Sequence, residues 1–224
     1  MDTNGNVQYY NGPVDCDPRR NPCGIALGAI IGQNIWFWLE PNTLNESDYV
    51  GYIDTSTGLT TAFSTGYKRT GPSSQIVLGP DGNLWFGVGE DVGRVTQSGA
   101  VSLFATKPAI NDVETIVAGP DGDLWFSGPN AGEAIGRMTT AGKMHGETVV
   151  GDGIAQLVLG PDNRVWGTDG RMIFRMNSAK RDSEIKIPRK YDRCLPQAFS
   201  IGADGDLWFV NYDGSGNPCK YGIG

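Results

Sequence analysis

The chain has 224 residues with 33 Gly, 13 Pro and only 19% charged residues, a composition suited to many short strands joined by tight turns rather than to long helices. Its formal net charge of −7 sets up a field that repels phosphate backbones and anionic lipid, which argues against nucleic acid as a partner. No apolar run approaches the about 18–20 residues that a spanning helix needs, so one domain without membrane insertion, working as a monomer, is expected.

The first residues, Met1-Asp2-Thr3-Asn4, carry neither the basic nor the apolar region of a signal peptide, so the chain reads as a mature form. Gly5-Asn6-Val7-Gln8-Tyr9-Tyr10 reads as a strand without a neighbour in sequence. Next comes a Pro- and Arg-containing loop over 12–22. From there a repeat becomes visible, centred on Ile35-Trp36-Phe37, Leu84-Trp85-Phe86, Leu124-Trp125-Phe126, Val165-Trp166-Gly167 and Leu207-Trp208-Phe209. The tryptophans are 49, 40, 41 and 42 residues apart, the period of a four-stranded propeller blade.

The second repeat is the clearest. Gln75-Ile76-Val77-Leu78 is its inner strand, Gly79-Pro80-Asp81-Gly82 its turn and Leu84-Trp85-Phe86 its second strand. Gly93-Arg94-Val95 and Val101-Ser102-Leu103-Phe104 read as the third and outer strands. The turn recurs at Gly119-Pro120-Asp121-Gly122, Gly160-Pro161-Asp162-Asn163 and Gly202-Ala203-Asp204-Gly205, where Pro presets φ and Gly or Asn tolerates φ > 0. The first repeat lacks it and has a longer connection over 28–34. These aspartates read as turn-closing side chains rather than a calcium array, because no later bidentate Glu accompanies them. The repeated Trp reads as a wedge between neighbouring blades.

Together these readings predict an all-β, five-bladed β-propeller of four-stranded blades, one domain over 1–224, with blades at about 24–65, 73–106, 113–150, 153–189 and 196–224. The last repeat stops after Lys220-Tyr221-Gly222-Ile223, one strand short. The N-terminal strand at 5–11 is expected to complete it and close the ring.

Loops leading into the inner strands and loops linking second to third strands meet on one face of such a ring, where ligands gather. The four cysteines, Cys16, Cys23, Cys194 and Cys219, fall in loops of that face and permit three disulfide pairings. Cys16 with Cys23 and Cys194 with Cys219 would brace it locally. With the sequon Asn45-Glu46-Ser47 they point to an extracellular or secretory compartment. Trp38, Tyr191 and Tyr212 are candidate stacking rings, Gln197 and Asn211 candidate hydrogen-bonding groups, and Glu114 and Asp169 candidate charges. A small molecule or glycan is the expected ligand. The lone histidine, His145, falls on an outer strand and is expected to face solvent.

The run Gly79-Pro80-Asp81-Gly82-Asn83-Leu84-Trp85-Phe86 followed by Val92-Gly93-Arg94-Val95 resembles the repeat of the streptogramin B lyase (virginiamycin B lyase) family, and 119–126 with Ile135-Gly136-Arg137-Met138 is similar to it too. The resemblance covers the chain as a repeat. It implies a propeller, seven-bladed in that family, with a divalent metal and a catalytic histidine that open a cyclic depsipeptide by elimination. The column of that histidine holds Cys23, Ser74, Glu114, Ala155 and Gln197 in this chain, and the family's glutamate column holds Leu39, Val88, Gly128, Asp169 and Asn211. With both columns substituted, the lyase elimination is not expected and no cofactor is assigned, a divalent metal being implied by the resemblance alone. Binding is the expected activity. An acid-based lyase, hydrolase or cyclase is the alternative.

Overall fold

The computed structural model describes residues 24–41, 46–67, 75–106, 110–129, 133–151, 156–169, 172–177, 180–186 and 194–213. Among the described residues all regular structure is strand, in five successive antiparallel sheets. Sheet one contains β1 (Gly24–Ile31), β2 (Asn34–Glu40), β3 (Tyr49–Asp54) and β4 (Thr60–Ser64). Sheet two contains β5 (Val77–Leu78), β6 (Leu84–Val88), β7 (Asp91–Val95) and β8 (Val101–Ala105). Sheet three contains β9 (Thr115–Ala118), β10 (Asp123–Pro129), β11 (Glu133–Thr139) and β12 (Met144–Gly151). Sheet four contains β13 (Gln156–Leu159), β14 (Val165–Thr168), β15 (Met172–Asn177) and β16 (Lys180–Lys186), and sheet five pairs β17 (Cys194–Ile201) with β18 (Leu207–Asp213).

The period-2 alternation of each second strand decides what lies between sheets, because successive side chains point to opposite faces. On β6, Leu84, Phe86 and Val88 turn back to Trp36, Trp38 and Val50 of sheet one, while Trp85 turns forward to Ile116, Leu124 and Phe126 of sheet three. The same relation recurs one sheet on, where Trp125 meets Leu157, Val165 and Phe174. Each such Phe or Leu, fully buried, contributes about 1.5–3 kcal/mol, so the core is a series of layers between sheets rather than one central mass.

The recurrent turn is a compound device. Asp81 Oδ1 accepts from the Asn83 amide at 3.1 Å and from Trp85 Nε1 at 2.9 Å. Asp121, Asp162 and Asp204 hold Trp125, Trp166 and Trp208 in the same way, at 3.0, 2.7 and 3.2 Å. The indole then lies over the first glycine of the turn, where a Cβ on Gly79 or Gly119 would overlap the ring. A third-strand arginine covers the other side: Arg94, Arg137 and Arg175 stand 5.5, 5.6 and 5.7 Å from the centroids of Trp85, Trp125 and Trp166. Arg137 and Arg175 also pair with the turn carboxylates Asp121 and Asp162, at 3.2 and 3.0 Å.

Two expectations change. The connection over 28–34 in the first repeat is mostly strand, since β1 runs to Ile31 through an irregularity between Leu27 and Ile30 and turns at Gly32-Gln33 with Gly32 at φ 60. Trp38, placed by sequence in a loop, lies inside β2, because pairing of Trp38 with Val50 and Ala26 carries that strand on to Glu40. The segments invoked for ring closure, 5–11 and 220–223, lie outside the described residues. Among those described, inner strands of successive sheets adjoin one another, and β1 and β17 share no contact of that extent.

Candidate functional site

The meander brings the start of each inner strand and the end of each second strand to one end of the arc, with the Asp turns at the other. Glu114 stands just ahead of β9, its amide donating to the Ser127 carbonyl at 2.8 Å, and its side chain is exposed. Partial burial of its carboxyl, then the like charge of Asp112, pushes its pKa above the ordinary glutamate value. Asp169 follows β14. Its Oδ1 accepts from the Met172 amide at 2.9 Å, so this carboxylate shapes the turn into β15 while remaining half-buried.

Gln197 falls at the irregularity between Pro196 and Ala198 of β17, and Pro196 pairs with Asn211 of β18. Tyr212 pairs with Leu195, and Cys194, expected in a loop, instead opens β17 because its backbone pairs with Asp213. The backbone thus brings Glu114, Asp169, Gln197 and Asn211 to the same end of three consecutive sheets. Cys16, Cys23, Cys219 and Tyr191 lie outside the described residues. Trp38 is withdrawn as a stacking ring: it is 1% exposed and packs on Phe86 with centroids 5.0 Å apart, so its surface belongs to the layer between sheets one and two.

Sequence reasoning missed the hydroxyls beneath this end. Ser127 and Thr168, each two residues beyond the repeat Trp, are fully buried, and Thr115 beside them accepts from the Leu157 amide at 3.3 Å. The Ser127 Oγ is buried without a hydrogen-bond partner among the described residues. The signal was legible as a column, Trp38, Gly87, Ser127, Thr168 and Val210, in which the first aromatic gives way to Gly and then to two hydroxylic residues in the third and fourth repeats. His145 also differs from expectation in its partners. It is exposed on β12, yet its Nδ1 lies 2.7 Å from Asp123 Oδ2 and 3.2 Å from an Arg137 guanidinium nitrogen. That cluster stands at the Asp-turn end, away from the mouth.

The divalent metal implied by family resemblance finds a poor donor set here. Leu39 and Val88 present hydrocarbon and Gly128 nothing, leaving Glu114, Asp169, Gln197 and Asn211 among the described residues of the two columns, with Cys23, Ser74 and Ala155 outside them. Among the described residues no group of three or more His, Cys, Asp or Glu side chains converges to hold a metal. The described residues of the two columns do not make up a donor set for the group.

A streptogramin B lyase structure aligns with 90% of this chain and 68% of its own at 23% identity and a TM-score of 0.68. A catalytically inactive histidine-to-alanine variant of virginiamycin B lyase from Staphylococcus aureus with quinupristin aligns over 90% of this chain and 70% of its own, at 25% identity and a TM-score of 0.68. A putative gluconolactonase shares the fold at 12% identity and a TM-score of 0.57, over 88% of this chain and 80% of its own. These likenesses make the sheets a β-propeller architecture. No curated protein matches the chain by sequence. The family model for virginiamycin B lyases matches residues 88–216, more than half of the chain, and the chain belongs to the virginiamycin B lyase family.

Proposed function

We propose that the chain binds a small neutral or weakly basic ligand, a glycan or a flat natural product, at the mouth formed by sheets three to five. The observation that carries this reading is the placement of Glu114, Asp169, Gln197 and Asn211 at one end of three consecutive sheets. Two carboxylates there repel an anionic ligand, and the amide residues supply donors and acceptors of the kind that orient a polyol or a lactam. Tyr191 and Tyr212 remain as stacking rings in this proposal. The four cysteines as disulfides, with the sequon, support an extracellular protein, and nothing in the reading needs a metal.

A second reading is favoured by one observation, the raised pKa of the exposed Glu114 carboxyl in a member of a lyase family. A carboxyl shifted upward by partial burial and a neighbouring like charge is closer to general acid–base work than an ordinary glutamate, so an acid-based lyase, hydrolase or cyclase is the alternative.

A glycan and metabolite screen read by thermal shift identifies the ligand, and Glu114→Ala and Asn211→Ala then locate it. Each variant is expected to weaken binding tenfold or more with its melting midpoint nearly unchanged, since a side-chain truncation at a strand end, away from the core, usually costs within about 0.5 kcal/mol. Affinity that survives both places the ligand elsewhere. Incubation with a cyclic depsipeptide and magnesium, read by mass spectrometry, separates the two readings from the family's elimination. No linear product is expected.

A further inference from the structure

We propose that Thr106 is a positioning residue for the Glu114 carboxylate, acting through a preformed segment, 110–114, that spans sheets two and three at the mouth. The proposal rests on the reading of that mouth as the binding site. Thr106 follows β8 and is fully buried. Its hydroxyl stands 2.7 Å from two carbonyl oxygens, those of Glu90 in the β6–β7 hairpin and Ile110 in the segment, and its amide donates to the Glu90 carbonyl at 3.2 Å. Thr65, which follows β4 in sheet one, shows the simpler form of this clasp. Its amide and hydroxyl both donate to the Asp48 carbonyl at 2.9 Å, and its hydroxyl oxygen accepts from the Tyr67 amide at 3.2 Å. The bond to Ile110 is the addition, and it ties the outer strand of sheet two to the segment that bears Glu114.

The rest of the segment is seated on both sheets. Ile110 and Val113 are fully buried in the layer between sheets two and three, whereas Asn111, Asp112 and Glu114 are exposed. The Val113 amide donates to the Gly89 carbonyl of sheet two and the Glu114 amide to the Ser127 carbonyl of sheet three, both at 2.8 Å. Two glycines make its bed: a Cβ on Gly128 would lie 1.6 Å from the Asp112 carbonyl oxygen, and one on Gly136 3.1 Å from Ile110 Cδ1. A backbone held at Ile110, Val113 and Glu114 fixes the exposed polar side chains before a ligand arrives, which lowers the ordering cost of binding. It also keeps the Glu114 carboxyl partly buried and beside Asp112, the two causes of its raised pKa. Removing the Thr106 hydroxyl takes that donor from the Ile110 carbonyl and frees one end of the segment.

The test compares the 224-residue protein with Thr106→Val, which keeps the shape and loses the hydroxyl, and with Thr106→Ser, which keeps the hydroxyl. The proton is the first probe, the Glu114 carboxyl being titrated by carbon NMR in each. Its midpoint is expected to fall toward the ordinary glutamate value in Thr106→Val, as the segment loosens and the carboxyl gains water, and to stay in place in Thr106→Ser. An unchanged midpoint in Thr106→Val overturns the proposal. So does a Thr106→Ser that follows Thr106→Val, since packing of the methyl group is then what matters. If Thr106→Val does not fold, hydrogen exchange of the original chain decides: the Val113 and Glu114 amides are expected to be protected about as well as those of β9 and β10, and exchange at the rate of an open loop overturns the proposal. Against the compound that the screen returns, Thr106→Val is expected to bind about tenfold more weakly and Thr106→Ser within about twofold of the original chain. If Glu114→Ala leaves that affinity intact, the reading of the mouth fails, while the titration still decides the positioning.

Discussion

Trp125 and Trp208 stand at the same place in the repeat, each held by the aspartate of its own turn, yet one is buried and the other exposed. The local device is identical, so the turn forms from four residues and its own side chains. What differs is the neighbour. Trp125 lies against Leu157, Val165 and Phe174 of the next sheet, and among the described residues Trp208 has no such layer. The comparison teaches that this repeat encodes its turn locally and its burial only through an adjacent copy, as expected of a stack in which no unit buries its face alone.

Truncation breaks the comparison most sharply. Trp125→Ala is expected to cost about 3–5 kcal/mol, a large aromatic lost from a closed layer, and Trp208→Ala about 1 kcal/mol. Urea midpoints of the two variants measure the difference, and equal losses would mean that Trp208 is covered in solution. Gly128→Ala is the next largest. A Cβ there would overlap the Asp112 carbonyl oxygen and crowd Ile110, and overpacking against backbone costs about 1–3 kcal/mol or more. The same denaturation experiment reads it, and a neutral result would show that the segment carrying Asp112 can move aside.

The turn aspartates give a smaller effect with a pH signature. Burial alone would raise the Asp81 carboxyl, but hydrogen bonds from Trp85 and Asn83 outweigh it and hold the pKa below the ordinary aspartate value. For Asp162 burial is likewise outweighed, by the bonds from Trp166 and Arg175. A depressed folded pKa contributes stability that is fully present above the unfolded value, about 3.9, and is lost as pH falls through the folded one. The melting midpoint is therefore expected to hold down to about pH 4 and fall below it, and Asp81→Ala to flatten that fall while costing about 1–2 kcal/mol at neutral pH. Glu114 works with the opposite sign: its raised pKa is a cost above the folded value that is relieved as pH drops, so Glu114→Gln is expected to change stability least of all.

How much of the site was legible follows from the same distinction. Glu114 and Asp169 could be placed by counting from the Gly and Trp of their own repeats, because the count is preserved when the strands form. Trp38 could not. The alternation that makes Trp36 a wedge also sends Trp38 to the same face, and only pairing with Val50 and Ala26 shows that the strand continues past it. His145 was assigned to an outer strand from the repeat, but its approach to Asp123 and Arg137 is a cross-strand contact that no spacing announces.

By itself the sequence determined the repeat, its five tryptophans, the turn chemistry and the meander order, since each depends on residues a few positions apart and on a period that survives folding. The tertiary structure decided which copies are covered. Leu27 and Ile116 each stand opposite the Phe that follows the repeat Trp, and Trp208 and Trp125 likewise share one place in the repeat. Their burial depends on the sheet beside them, and the curvature that brings sheets together is set by layers of side chains from residues some forty positions apart.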